Sequence, residues 1–324
     1  MKIFQSVMAI LSKYLPVWIV LSSIIAYMLP QAFEPISQLT GPALGLIFLL
    51  MGLSLSTEAL ASVIKRPVHL FTGVLFKWTI TVTVSIVIAY VFFKEETEIA
   101  MGIILAGVVP SGTSANLYTF MAGGEVALSV SMAAADTFIS PVLTPFLTQF
   151  FAGQFIPVDF WALFFSIIYI VFVPLLTGLF LQWKWPKRTV YIKPYTSLLS
   201  TLALFVVVLS VVSNAQSSLA DSLHWLPLIF IAVFIQVAFP MLAGYSLSRF
   251  FRIPERNCRA ILFHTGICNT ALAATLAMEH ISSAAAVPAV ANMVVNLSLG
   301  AWVANRLSAK EVTEDASYKD KQVV

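Results

Sequence analysis

Three ionisable side chains stand where the sequence is otherwise apolar: Lys77, Asp136 and His264. A charge in hydrocarbon costs about 2.5 kcal/mol or more, so such residues usually face a partner or a cavity and mark function. A lysine and an aspartate at like depth make a Lys77–Asp136 ion pair the economical arrangement, as a static pin or as part of a cation site or proton relay. Histidine changes charge nearest neutrality, which suits a relay; the plain alternative is a neutral imidazole bonded in the core. Two small polar runs accompany these residues: Pro110-Ser111-Gly112-Thr113-Ser114-Ala115-Asn116 and Gly266-Ile267-Cys268-Asn269-Thr270-Ala271. Glycine and proline interrupt a helical ladder, and the freed backbone groups need polar partners at that depth. Paired interruptions point to a transporter's binding site; two kinked helices packed on small residues are the alternative. Thr113, Asn116, Asn269 and Thr270 add polarity that packing does not require. Ser129, Asp136, Thr137 and Ser140 share one helical stripe, and Asn292 and Asn296 lie one turn apart near Ser298, as substrate contacts or as hydrogen-bonding glue between helices.

The elements that must position them are membrane spans. The chain has 324 residues, 59% hydrophobic and only 10% charged. A soluble protein would carry roughly 25% charged residues. Crossing the bilayer takes about 20 apolar residues. Cutting at the charge clusters gives ten stretches, near 14–33, 37–57, 67–93, 99–122, 126–150, 160–183, 195–215, 226–248, 257–278 and 281–305. With the N-terminus cytoplasmic, Lys65 and Arg66, then Lys184, Lys187, Arg188 and Lys193, then Arg249, Arg252, Arg256 and Arg259 fall inside. Lys2, Lys13, Arg306, Lys310, Lys319 and Lys321 join them at the two ends, and Lys94 alone falls outside. The positive-inside rule is thus met with an even number of spans. Lys2 and Lys13 bracket too short an apolar stretch for a cleavable signal, so the first segment is expected to stay as an anchor. The expectation is an all-α transmembrane domain over 1–307 and a disordered cytoplasmic tail over 308–324. Ten spans split into halves of about 14–150 and 160–305, and a five-helix duplication would make an inverted repeat.

Other classes fit less well. A membrane-embedded enzyme would use His264, Asp136 or Cys268, yet no nucleophile–base spacing or metal motif appears. Cys258 and Cys268 have neither disulfide-framework nor metal-ligand spacing. A channel needs a continuous polar stripe on several helices, and only the midplane is polar here. Without a Walker motif ATP is not implied, and no nucleic-acid patch is present.

The interrupted fourth stretch at PSGTSAN, the following GGEVALSVSMAAADTFISPVLTP, and the ninth at GICNTALAA resemble the bile acid:sodium symporter family. The similarity runs from Leu15-Pro16-Val17-Trp18 to Asn296-Leu297-Ser298. What the resemblance implies is a bacterial inner-membrane transporter working by alternating access. Its panel would comprise the first, second, sixth and seventh spans, and its core the other six, with the two broken helices crossing there. Family substrates are organic anions: bile acids in animals, pantoate-like compounds among the suggested bacterial ones. Thr113, Ser114, Asn116, Asn269, Thr270 and Asn296 match positions lining the family's substrate cavity, and Asn116 and Ser129 match sodium-site positions. The departures bear on coupling. His264 stands where the family carries a Glu serving both sodium sites, Cys268 and Lys77 replace Gln residues, and Ala115 and Ala133 replace hydroxyl positions. A sodium ion wants hard oxygen ligands, and an ammonium repels it. Lys77 is therefore expected to stand in for sodium, paired with Asp136, with coupling by protons or by no cation; an ordinary sodium symporter is the alternative. No cofactor is expected, and the partners are the anion and the bilayer.

Overall fold

The structure, a computed structural model, describes residues 14–54, 67–221 and 223–321, with side chains to 308 except at 190, 193, 194 and 221. Lys2, Lys13, Lys65 and Arg66 lie outside the described residues. The described chain is helical throughout, with no strand. Helix α1 (Leu15–Met28) starts on Pro16 and ends at Leu29, just before Pro30. The residue before a proline is pushed out of helical geometry, which cuts the first expected stretch short. A short turn and a 3-10 helix lead into α2 (Thr40–Ser54). Then come α3 (Pro67–Phe92), α4 (Thr97–Val108), α5 (Ser114–Met121) and α6 (Val126–Leu147). The second half holds α7 (Phe160–Lys184), α8 (Pro186–Asn214), α9 (Leu226–Phe250), α10 (Glu255–Gly266), α11 (Thr270–His280) and α12 (Ser283–Lys321).

Seven of these helices are long and apolar enough to cross a membrane, and α1 and α4 are shorter apolar helices. The protein is a multi-pass membrane protein. Large apolar side chains such as Phe71, Val142 and Leu242 point outward, as lipid contact requires. Helix α12 runs on from its apolar part to Lys321. The alanine, lysine and glutamate content beyond 308 favours a helix, and no glycine or proline interrupts it.

Two packed groups emerge. Helix α2 packs on α7 and α8, with α1 against α8. Small residues let backbones approach in lipid: a Cβ on Gly52 would strike the Leu175 carbonyl, and one on Gly178 the Leu49 carbonyl. In the second group α9 packs on α10 and α12, and α12 on α4 and α11. There α6 also packs on α3, and α5 on α10. A side-chain hydrogen bond between the groups joins Ser166 on α7 to His280 at the end of α11, 2.8 Å apart.

Local chemistry shapes the helices that carry the candidate residues. Helix α3 widens into a π turn over Lys77–Thr81. Helix α6 tolerates two prolines. Pro141 cannot donate to the Thr137 carbonyl, and the Ser140 hydroxyl donates there instead at 3.0 Å. This is how a proline persists in a membrane helix.

Candidate functional site

The two polar runs form one structure. Val109 is extended (φ −83°, ψ 159°), as the residue before Pro110 must be, and α4 ends there. Ile267 is extended after Gly266, and α10 ends there. The two extended segments cross and pair antiparallel at Ser111 and Cys268. The Gly112 amide donates to the Ile267 carbonyl at 2.9 Å, and the Asn269 amide to the Pro110 carbonyl at 2.8 Å. The Ser111 hydroxyl adds a bond to the Ile267 carbonyl at 3.1 Å. Each interruption thereby satisfies backbone groups freed by the other. Gly112 permits this closeness: a Cβ there would sit 2.8 Å from the Cys268 carbonyl oxygen. Beyond the crossing, α5 and α11 start afresh, and the Asn269 side chain caps α11 by accepting from the Leu272 amide at 3.1 Å.

Behind the crossing lie the three ionisable residues, all fully buried. The expected Lys77–Asp136 ion pair is not formed. Asp136 Oδ1 accepts from Trp78 Nε1 at 2.8 Å, and Oδ2 accepts from the Ser111 amide at 3.1 Å. The same Oδ2 faces His264 Nε2 at 3.3 Å. That contact is close enough for charge attraction but off hydrogen-bond geometry, so both imidazole nitrogens lack a hydrogen-bond partner. Lys77 turns instead to the Gly107 carbonyl at 2.8 Å and lies within reach of the Cys268 thiol. Gly107 is in the last turn of α4, where free carbonyls and the helix dipole favour a cation. The π turn explains the change of partner. It holds one residue more than an α turn, so the register of a straight helix does not carry across it.

In front of the crossing is a cavity of about 380 Å³ between the two helix groups. Thr113, Ser114, Asn116, Asn269, Thr270 and Asn296 all line it, and so does Cys268. Across from them stand Leu44, Ile47 and Met51 of α2 and Thr196, Ser200 and Thr201 of α8. Among the described residues no charged side chain lines the cavity. Lys77, Asp136, His264 and Ser129 lie behind its wall rather than in it.

The residues at the sodium-site positions do not fit a sodium ion. Asn116 Oδ1 already accepts from the Ser129 hydroxyl at 2.7 Å, and Ser129 accepts from Thr119 at 3.2 Å. Ala115 and Ala133 bring no side-chain oxygen, and Lys77 and His264 stand at the remaining positions. Among the described residues no acidic, histidine and cysteine cluster of metal-binding size occurs.

Two participants were missed from sequence. Trp78 holds Asp136; its one signal was a position next to Lys77. Gln236 is buried on α9 and donates to Ser85 and to the Ile103 carbonyl, both at 2.7 Å. It also accepts from Asn292 at 2.7 Å, so Asn292 belongs to this second polar knot and only Asn296 reaches the cavity. A lone glutamine in an apolar span was the available signal.

Comparison with known proteins gives a consistent picture. The sodium bile acid symporter family matches over residues 41–222. Over 308 residues the chain is 30% identical to the "Uncharacterized sodium-dependent transporter YocS" of Bacillus subtilis, covering 95% of this chain and 94% of that one. It is 29% identical over 308 residues to the "Probable sodium/metabolite cotransporter BASS1, chloroplastic" of Arabidopsis thaliana, covering 94% of this chain and 76% of that one. A rice counterpart described as BASS2 is 30% identical over 301 residues, covering 92% and 70%.

Proposed function

The chain belongs to the sodium bile acid symporter family, and from that footing we propose that it is a secondary transporter of a small organic anion, with Lys77 in the place of a coupling sodium ion. The observation that carries this reading is the cavity: a largely apolar chamber into which both interrupted helices bring uncharged polar groups, with no charged side chain in its lining among the described residues. Helices α5 and α11 present their N-termini there, and a positive helix end suits a carboxylate. Pantoate-like carboxylates are of the fitting kind.

Counting α4 with α5, and α10 with α11, the helices make ten spans in two halves of opposite direction. Helices α1, α2, α7 and α8 act as the panel, and α3 to α6 with α9 to α12 as the core. Rocking of one against the other would expose the cavity to each side in turn. The distribution of basic residues supports cytoplasmic termini in a bacterial inner membrane.

Lys77 caps the end of α4 through the Gly107 carbonyl, close to Cys268 of the other interruption. This is a cation's service performed by a tethered ammonium. The His264–Asp136 contact joins α10 to α6 and can exchange a proton. Coupling to protons, or transport without a coupling cation, follows from these residues. The ordinary sodium symporter is the second reading, favoured by the printed description of the Bacillus relative as sodium-dependent.

Uptake of radiolabelled carboxylates into proteoliposomes, with sodium and pH gradients imposed separately, tests both. Uptake that rises with an inward proton gradient, or persists without any cation gradient, and that ignores sodium supports the proposal. Strict sodium dependence establishes the second reading, and absence of carboxylate uptake under every gradient removes both.

A further inference from the structure

Two turns between successive long helices are rich in basic residues, and they differ in whether a carboxylate answers the charge. Between α9 and α10, Arg249, Arg252 and Arg256 are exposed, but Glu255 stands among them. It accepts from Arg259 Nε at 3.1 Å and from the Tyr245 hydroxyl at 2.8 Å. Glu125 lies alongside, its amide donating to the Arg256 carbonyl at 2.9 Å. Between α7 and α8 runs Trp183-Lys184-Trp185-Pro186-Lys187-Arg188, and no Asp or Glu occurs anywhere from residue 160 to 220. Lys184, Lys187 and Arg188 are all exposed, and among the described residues none of them forms an ion pair. Helix formation does not explain them. Lys187 and Arg188 fall in the first turn of α8, which has neither an acidic residue nor a side-chain cap, and a cation there opposes the helix dipole.

The aromatic side chains of this turn are exposed with the cations. Trp183 is 71% exposed and Trp185 43%. Lys184 Nζ lies over the rings of Phe180 and Trp185, 5.6 and 5.2 Å from their centroids. Tryptophan settles at the level of lipid headgroups, which brings the three cations to the layer of lipid phosphates. Below them, Val173, Leu176 and Phe180 are exposed at helical spacing, so one apolar stripe of α7 runs up to the basic turn.

We propose that the turn between α7 and α8 binds an anionic phospholipid, its phosphate among Lys184, Lys187 and Arg188 and its acyl chains along the α7 stripe. Indole N–H groups of the two tryptophans are further donors of the kind a phosphate takes. A zwitterionic lipid carries its own cation to the site and gains less. A free phosphate or an acidic peptide meets the charge but leaves the apolar stripe unused. The inference needs only that α7 and α8 cross the bilayer, so it stands apart from the organic-anion reading.

The test uses the purified full chain in micelles of an uncharged detergent, read by melting temperature. It is titrated with phosphatidylglycerol, with phosphatidylcholine of the same acyl chains, and with glycerol 3-phosphate. Phosphatidylglycerol is expected to raise the melting temperature saturably, with an affinity that falls as salt rises, while the other two leave it unchanged. Combining Lys184→Gln, Lys187→Gln and Arg188→Gln weakens the affinity for phosphatidylglycerol at least about tenfold. Combining Arg249→Gln, Arg252→Gln and Arg256→Gln removes as much charge from the other turn and leaves that affinity unchanged. Lys187→Gln alone, with an expected loss of about fivefold, decides the matter if the first triple variant misfolds. Equal stabilisation by phosphatidylcholine overturns the proposal. Equal stabilisation by glycerol 3-phosphate assigns the turn to a free phosphate and overturns it too. So does an affinity that drops equally in both triple variants, since net charge and not a site is then responsible. Each of these results leaves the transporter reading standing.

Discussion

His264 meets Asp136 at the very oxygen that holds the other interrupted helix. Its Nε2 lies 3.3 Å from Asp136 Oδ2, which also accepts the Ser111 amide at 3.1 Å. One carboxylate oxygen thus links α10, two residues before its break, to the crossing segment that follows α4.

The proposed proton coupling predicts an uptake profile that rises with the inward proton gradient imposed on proteoliposomes, acting through the His264–Asp136 contact. His264→Gln flattens the profile. His280→Gln, which alters the histidine at the far end of α11, keeps its slope. An unchanged profile in His264→Gln argues that the imidazole carries no coupling proton.

Removing the Asp136 charge leaves the buried Trp78 Nε1, the Ser111 amide and His264 without the carboxylate they face. Breaking a buried charge arrangement from one side costs about 3–5 kcal/mol. Asp136→Asn is expected to lower the melting temperature of the purified protein and to abolish uptake. A variant that melts with the wild type shows that the cluster is electrostatically idle.

Trp78→Phe keeps the ring and deletes one hydrogen bond to a charged group, a loss of about 1.5–3 kcal/mol. The expected signature is a smaller fall in melting temperature than that of Asp136→Asn. The double variant falls short of the sum, because both changes act on the same carboxylate.

Lys77→Gln removes the tethered ammonium and restores an oxygen at its position. The parent protein is expected to melt at the same temperature in sodium and in potassium. The variant gains a sodium-dependent stabilisation that grows with the logarithm of concentration over affinity. Sodium stabilisation of the parent itself, absent in the variant, reverses the assignment.

The interruptions were legible because their cause is local. Pro110 dictates the conformation of Val109, and the small residues around Gly112 and Gly266 mark where two backbones touch. Thr113, Ser114, Asn116, Asn269 and Thr270 line the cavity because they follow directly on the two crossing segments, and Asn296 joins them from α12. What could not be read was the rotation of α3. Depth along a span is countable from sequence, and it set Lys77 level with Asp136. The π turn at Lys77 shifts the facing of everything around it, so the lysine met a carbonyl and Trp78 took the carboxylate. Likewise Asn292 and Asn296 share a stripe, yet only the structure separates the knot around Gln236 from the cavity.

The reciprocal pairing of the two interruptions constrains how the molecule is made. Ser111 and its partner Ile267 are 156 residues apart, so synthesis delivers the first break long before the second. Until α10 emerges, the Pro110 carbonyl and the Gly112 amide have no partners, a debt of several kcal/mol per group in hydrocarbon. The first half therefore waits in another state, with its fourth span kept wet or shielded by the insertion machinery. The crossing closes as a late, long-range step, after nearly the whole chain has entered the bilayer.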